Sequence, residues 1–546
     1  MLRLSAAFRG GLYRDEALFL FVSRLKPFSR LLDFLRLHES HPPGYYLLMS
    51  WWSGLLGRSE AAAVALSLVF GVALIPLVFY AGRRLFDQRV GLFAAALTAV
   101  SPPLIQLSIL VRPYAMLSLL CVLSAWLLWE CLRGGAVRTW VAYGASMLAM
   151  LYTHNWTLLL FGAHGLIGLA WLATRTPSVR RDLLGSWLLT QAVILLFYAP
   201  WMPALVYQIR HAGHGPRPSL EAGPYILAAR VLLGAKPRYV LALLLIAGVA
   251  GWLGWRRTRA KPSGEAISLA LGVTAGIPVI VFALIVVLSA KTYLLLSWCL
   301  AILAPLVLFA FARFLAWARE SGAWREAYLA GAGLLALYAV TWLRDPDSLK
   351  SNARETAVAM AGHVEPGDLV ILSPESLAPS FNFYFRPQNP QIDFPSMRRE
   401  EVVRFDDRFG RTISEEALTE ALQRIDAARA RGQRVWFVME AGDMEDKYVR
   451  ALAPGDTAGG YLKPVVLKRS NQLRQYLISR FGPPALTLMP APGDEAIELI
   501  GALLFEPPRG SSSAVLGGRV PCQITVQASR REDGRATTPE PPDCAL

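Results

Sequence analysis

Charge is scarce in this chain. Only 17% of its 546 residues are charged, against 54% hydrophobic, where soluble domains carry about 25% charged residues. The apolar residues gather in uncharged runs long enough to cross a bilayer, which takes roughly 20 residues per helix. That excludes an ordinary soluble globule and implies a polytopic membrane protein. Cysteine is scarce too. The five present form no Cys-x-x-Cys and no Cys/His set with metal spacing. Cys121, Cys131 and Cys299 lie in or beside apolar runs and read as packing residues; Cys522 and Cys544 would pair only in an oxidising compartment. Gly-rich phosphate loops are absent, so a soluble nucleotide donor is not taken by those motifs. His211 and His214 lack a suitably spaced third ligand. No cofactor and no metal are expected. The one excess is a net charge of +15. Much of it is Arg in short loops between apolar runs, the usual topological pattern, so the expected partner is the lipid bilayer and not nucleic acid.

About ten spans are predicted: Ala61–Gly82, Val90–Leu107 (broken near Ser101-Pro102-Pro103), Pro113–Trp129, two within Thr139–Thr174, Leu183–Met202, Tyr239–Trp255, Ala266–Ser289, Thr292–Ala312 and Ala327–Leu343. Thr139–Thr174 as one helix would be about 54 Å long, too long for a core of roughly 30 Å, so it turns near His154-Asn155-Trp156. Before the spans, residues 17–37 read as one amphipathic helix in the interface, and residues 43–56 as a second short surface helix. Arg-rich loops alternate with charge-poor ones. By the positive-inside rule Asp15, His41, Arg112, His154 and Lys291 fall on the outer side, and so do residues 345–546. In that last region Asp368–Ser373, Arg434–Glu440 and Ile497–Phe505 read as strands and Glu415–Ala430 as a helix. The expected organisation is a first outer loop (1–58), a membrane core (59–344), an outer-facing small α/β domain (345–507) and a disordered Gly/Ser/Pro-rich tail (508–546).

Ionisable groups beside a membrane core are costly and mark candidate sites. Asp15 in Tyr13-Arg14-Asp15-Glu16-Ala17 is the candidate base for a substrate hydroxyl, an effect worth roughly 10²–10⁴-fold; the competing reading is a pair of solvated carboxylates. Glu16 is its neighbour at the same site. His41, before Pro42-Pro43, is a candidate donor to a lipid phosphate, with Tyr45 a further hydroxyl. Arg112 ends a span within Leu110-Val111-Arg112-Pro113-Tyr114. It either snorkels to the headgroups or clamps a phosphate through its forked donors. Lys291 and Tyr293, in the last outer loop, carry the same two readings. His154 and Asn155 read as polar turn residues. Cations around one outer carboxylate suit an anionic lipid headgroup whose phosphate departs once its charge is compensated.

The order of these motifs resembles a known family. Asp15-Glu16-Ala17, His41-Pro42-Pro43-Gly44-Tyr45-Tyr46, Arg83-Arg84-Leu85-Phe86 with Val90-Gly91-Leu92, Ser101-Pro102 and Arg112-Pro113-Tyr114 look like the GT-C class of membrane glycosyltransferases. Within that class they look like the group related to protein O-mannosyltransferases and lipid A aminoarabinose transferases. The resemblance covers residues 13 to about 313. It implies a polyprenyl-phosphate sugar donor, a lipid, glycan or protein acceptor, inverting transfer, and chemistry on the periplasmic or extracellular face of the cell membrane. It assigns Asp15 as catalytic acid/base residue and His41, Arg112, Lys291 and Tyr293 as its basic and tyrosine positions. Two features depart from the family. Residues 1–12 are too short for the spanning helix expected before the acidic pair, for which a truncated gene start is the simplest explanation. Leu110 and Val111 stand where an acidic residue often precedes the Arg. The competing functions are a transporter or flippase of lipid-linked sugars and a non-enzymatic envelope scaffold.

Overall fold

The computed structural model describes residues 2–7, 10–39, 41–211, 265–289, 297–322, 324–344, 349–386, 388–397, 415–441, 462–490, 496–508 and 522–526. The chain divides into two units. The first is Met1–Ala7 with Leu32–Pro346, the second Phe8–Leu31 with Asp347–Leu546. The stretch 1–58, read from the sequence as one loop, is therefore shared between them.

The first unit is helical. Its elements are α1 (Leu2–Ala7), then, after α2 of the second unit (Arg14–Ser23), most of α3 (Phe28–His38), followed by α4 (Gly44–Leu56), α5 (Glu60–Leu85), α6 (Gln88–Val100), α7 (Pro102–Ile109), α8 (Tyr114–Leu132), α9 (Val137–Leu151), α10 (Thr157–Ala173), α11 (Pro177–Tyr198) and α12 (Met202–His211). Helices Glu265–Leu271 and Ile277–Ser289, joined by a π-helical turn, Ala304–Glu320 and Trp324–Arg344 follow. Among the described residues four helical stretches are long and apolar enough to cross a membrane: Glu60–Leu85, Tyr114–Leu132, Pro177–Arg210 and Glu265–Leu288. A fifth arises if the bent pair α6–α7 is one span. The ten predicted from sequence were counted on apolar length alone. The region Thr139–Thr174 does turn at 152–156, into helices of 15 and 17 residues. Tyr239–Trp255 lies outside the described residues.

Local chemistry sets these boundaries. Ser59 caps α5 by accepting from Ala62 N at 3.1 Å, and Arg83 and Arg84 occupy its last turn, where cations complement the exposed carbonyls. Asp87 caps α6 through Arg89 N and Val90 N. At Ser101 the Pro102-Pro103 pair withholds two backbone donors and the axis bends by 59°. The carbonyls freed there are met by Arg3, whose guanidinium donates to Ala99 O (2.7 Å) and Thr98 O (2.9 Å).

Helices α5 and α6 approach at Gly82 and Gly91. A Cβ on Gly91 would stand 2.6 Å from Phe79 O and 2.9 Å from Arg83 N, both backbone atoms that cannot yield. Small residues permit such contact between membrane helices. Gly91→Ala is therefore expected to destabilise the first unit by about 1–3 kcal/mol through overpacking, read as a lowered thermal midpoint in detergent.

Among the described residues the second unit holds eight strands: β1 (Leu349–Ser351), β2 (Leu369–Ser373), β3 (Gln391–Asp393), β4 (Val435–Glu440), β5 (Leu486–Pro490), β6 (Ala496–Glu498), β7 (Ile500–Phe505) and β8 (Cys522–Val526). Six form a mixed sheet in the order β3-β2-β4-β7-β5-β8; β1 and β6 pair separately, in parallel. Strands β2 and β4 run parallel, and all their residues but Glu440 are buried, as in sheets covered on both faces. Val370, Leu372, Trp436 and Val438 enter one core, with Ala357, Met360 and Phe381. Leu369, Ile371, Val435 and Phe437 enter the other, with Ile425, Leu473 and Leu477.

Two sequence expectations need correction here. The tail from 508 was read as disordered, yet Cys522–Val526 pairs with β5 in register; its β-branched Ile524, Thr525 and Val526 suit a strand and were hidden by the Gly/Ser/Pro composition around them. Residues 17–37 are not one amphipathic helix. The chain breaks between α2 and α3 around Pro27, and α2 is buried on nearly every side. Its Phe21 meets Phe383 edge-on at 6.3 Å. The approach to it is tight: Gly11 N donates to Ser351 O at 2.8 Å, and a Cβ on Gly11 would sit 3.2 Å from Arg354 N.

Candidate active site

In the first unit the sequence-predicted cations Arg112 and His41 come together. Arg112 lies in the short connection between α7 and α8. Ser67 of α5 pins that connection, its Oγ donating to Leu110 O at 2.5 Å. Tyr45 Oη lies 3.1 Å from the same Ser67 Oγ and is buried. Tyr45 was expected to offer its hydroxyl to a lipid phosphate; the structure instead places it behind the Arg112 turn, which it braces. Arg112 as a whole is 8% exposed. Its Nη2 approaches His41 Nε2 at 3.4 Å, a long hydrogen bond, and its Cζ lies 5.9 Å from the Tyr114 ring centre.

His41 is held from two directions. Immediately after it, Gly44 N donates to Tyr152 O at 2.7 Å, an approach only glycine permits because a Cβ would stand 2.7 Å from that oxygen. This docks the start of α4 on the α9–α10 turn. The His154 ring of that turn meets the His41 ring at right angles, 4.6 Å between centres. On the other side Glu39 Oε1 accepts from His41 Nδ1 at 2.7 Å. Burial first, then the positive charge of His41 and Arg112, pushes His154 well below the usual imidazole range. It is therefore neutral, with Nδ1 accepting from Trp156 N (3.1 Å) and Nε2 3.7 Å from Cys299 Sγ. Burial, reinforced by the Glu39 carboxylate, pushes the Tyr46 phenol well above its ordinary value, so Tyr46 stays a donor. Sequence reading missed Glu39 and Tyr46 and set His154 aside. A carboxylate two residues before the His41-Pro42-Pro43 turn was the available signal.

In the second unit Asp15 stands in the first turn of α2, where the helix N-terminus favours negative charge. It is 42% exposed and accepts from Arg14 Nε at 3.2 Å; pairs this exposed bind weakly. The carboxylate is thus partly open to solvent. Glu16 is different. It is fully buried, caps α2 by accepting from Tyr13 N (3.1 Å), and pairs with Lys350 Nζ at 3.1 Å. Expected to line the substrate site, it is committed instead to the joint between α2 and β1. Glu498 of β6 faces Ser351, whose Oγ donates to Oε2 at 2.8 Å. Burial pushes the Glu498 carboxyl up to about 7, against the pull of Arg14 and of the Ser351 and Ser380 hydroxyls. Lys291 and Tyr293 lie outside the described residues. Among the described residues no group of three or more His, Cys, Asp or Glu side chains is arranged to hold a metal ion.

Residues 40–206 match the sequence family described as dolichyl-phosphate-mannose-protein mannosyltransferase. That stretch contains His41, Arg112 and His154. The structure resembles that of ArnT from Cupriavidus metallidurans in the apo state, with a TM-score of 0.52 at 15% identity over 92% of this chain and 95% of that one. The resemblance is to GT-C membrane glycosyltransferases. At such identity the likeness to ArnT concerns the fold. Weaker likenesses are found to ArnT from the same organism bound to undecaprenyl phosphate (TM-score 0.47, 17% identity, 81% of this chain and 91% of that one) and to the arabinofuranosyltransferase AftD from Mycobacteria (0.45, 16%, 81% and 36%). No curated protein sequence matches the chain significantly. The GT-C resemblance read from the motifs is thus met again in the family match and in the fold.

Proposed function

We propose that this protein is an integral membrane glycosyltransferase that moves a sugar from a polyprenyl-phosphate-linked donor to an acceptor hydroxyl. The supporting observation is the Arg112–His41 pair, two basic side chains brought together beside the end of an apolar span, within the stretch that matches a dolichyl-phosphate-mannose family. Arg112 and His41 hold the donor phosphate, with Lys291 and Tyr293 as further contacts. Asp15 takes the proton from the acceptor hydroxyl, whose oxygen attacks the anomeric carbon with inversion as the polyprenyl phosphate leaves. The reaction faces the periplasm or the exterior.

The test is sugar transfer from a panel of radiolabelled polyprenyl-phosphate sugars in membranes carrying the protein. One or more donors should be consumed, and Arg112→Ala should lower kcat/KM for the donor about 10–100-fold, the loss of a charge-assisted hydrogen bond. A folded protein that consumes none of the donors, or an Arg112→Ala variant that transfers normally, would overturn the proposal.

A further inference from the structure

We infer that the second unit carries a binding site for a hydroxylated carboxylate, a sugar acid of the hexuronate kind, in the notch where β2 and β4 end. Arg474 holds the carboxylate and Glu440 accepts from the ring hydroxyls. The inference does not rest on sugar transfer by this protein.

Topology puts a notch there. Strands β2, β3 and β4 are parallel, with β2 in the middle. The chain leaves β2 for β3 through helix Ala378–Tyr384, which packs in the core on one face of the sheet. It reaches β4 from helix Glu415–Ala430, which packs in the core on the other face. The two connections depart to opposite sides of β2, so a crevice opens between the carboxyl ends of β2 and β4, the place where open α/β sheets bind ligands. Ser373 ends β2, Glu440 ends β4, and helix Leu462–Phe481 adds Ser470, Asn471 and Arg474 to the same notch. Ser470 and Arg474 share the helical stripe of Leu473 and Leu477, which are buried in the core; a core-facing stripe ordinarily carries apolar residues at such positions. Ser373 Oγ and Ser470 Oγ, 2.7 Å apart, meet across the notch. Its floor has room for one water-sized group, and it widens outward to about 280 Å³ with the solvent at its mouth. One anionic group can enter, and the ring that bears it stays near the surface. Among the described residues Arg474 donates one hydrogen to the protein, from Nη2 to Asn471 Oδ1 at 3.0 Å. Its Nε is closed off from solvent and meets no acceptor, an exception among buried donors that calls for a partner. The guanidinium fork matches a planar carboxylate, while an ionised Glu440 is an acceptor only and suits hydroxyl donors. A single cation beside a carboxylate favours a monoanion over a phosphate dianion. Glu440 also links the notch to the turn that carries Asp15. Burial works against the charge on Arg14, and the carboxylates of Asp15, Glu498 and Glu440 outweigh it.

The experiment is equilibrium binding to the purified full-length protein in detergent, by ligand-observed NMR at constant ionic strength. The probes are glucuronate, glucose and glucose 1-phosphate, which share a ring and differ in charge. Wild type should bind glucuronate about tenfold more tightly than glucose, the worth of one charge-assisted hydrogen bond. Glucose 1-phosphate, whose phosphate takes its second charge near pH 6, should bind more weakly than glucuronate at neutral pH and above. Arg474→Gln should lower glucuronate affinity about tenfold, to the level of glucose, and leave glucose binding where it was, an outcome that general damage to the fold would not give. Arg474→Lys, which keeps the charge without the fork, should fall between. The comparison of the three probes on wild type needs no variant. Absence of saturable glucuronate binding, or glucose bound as tightly as glucuronate, overturns the inference. So does glucose 1-phosphate bound at least as tightly as glucuronate, which would make the notch a phosphate site. An Arg474→Gln variant with the wild-type thermal midpoint and full glucuronate affinity overturns it as well.

Discussion

Asp15→Asn is expected to abolish measurable sugar transfer, a fall of about 10²–10⁴-fold, the contribution of a positioned general base. The amide keeps the shape of the carboxylate but cannot take a proton. Loss of the pair with Arg14, which lies at 40% and 42% side-chain exposure, should cost only about 0–1 kcal/mol. Donor binding should persist, so the loss falls on kcat and not on donor affinity. The measurement is single-turnover transfer from saturating donor, beside donor binding on the same preparation. Transfer at the wild-type rate would remove Asp15 as the base. The rival functions give other outcomes: a flippase variant would still move its lipid-linked sugar, and a scaffold variant would still bind its partner.

The second large effect concerns stability. Lys350→Ala should destabilise the second unit by about 3–5 kcal/mol, because it strands the Glu16 carboxylate without a counter-charge in a site closed to water. The pair is 3% and 0% exposed at 3.1 Å. The double variant Glu16→Gln with Lys350→Met should recover much of that loss, since replacing both charges removes the stranded one. Protease resistance of the folded protein against denaturant reads both. A single variant as stable as wild type would mean that the pair does not hold α2 to β1.

Element positions were legible wherever one local signal dominated. The break at Ser101-Pro102-Pro103, the turn at His154-Asn155-Trp156 and the helix Glu415–Ala430 are written in proline, in apolar length and in helical periodicity, all properties of neighbouring residues. Arg112 was legible as a candidate because a basic residue at the end of an apolar run is uncommon, and His41 because it stands just before the Pro42-Pro43 turn. What could not be read was long-range partnership. Asp15 and Glu16 are adjacent acids with the same local composition. Only Lys350, 334 positions beyond Glu16, distinguishes the buried, neutralised carboxylate from the accessible one. Tyr45 and Tyr46 are equally alike in sequence, and their neighbours Ser67 and Glu39 decide which braces the Arg112 turn and which meets the carboxylate. Helix α2 misled for a related reason. Its charged flanks, Arg24 and Lys26, suggested an interface, whereas its apolar surface is covered by residues that follow the whole membrane region.

The grouping of Phe8–Leu31 with Asp347–Leu546 has a temporal side. The ribosome makes the turn that carries Asp15 hundreds of residues before Lys350, Ser351, Tyr384 and Glu498, which surround that segment. At about 5–20 residues per second the wait is on the order of tens of seconds. Throughout that interval α2 is an apolar segment without its partners, while the helices between are being inserted. Helix α2 and the turn before it thus reach their final surroundings only after Lys350, Ser351 and Tyr384 have been translated.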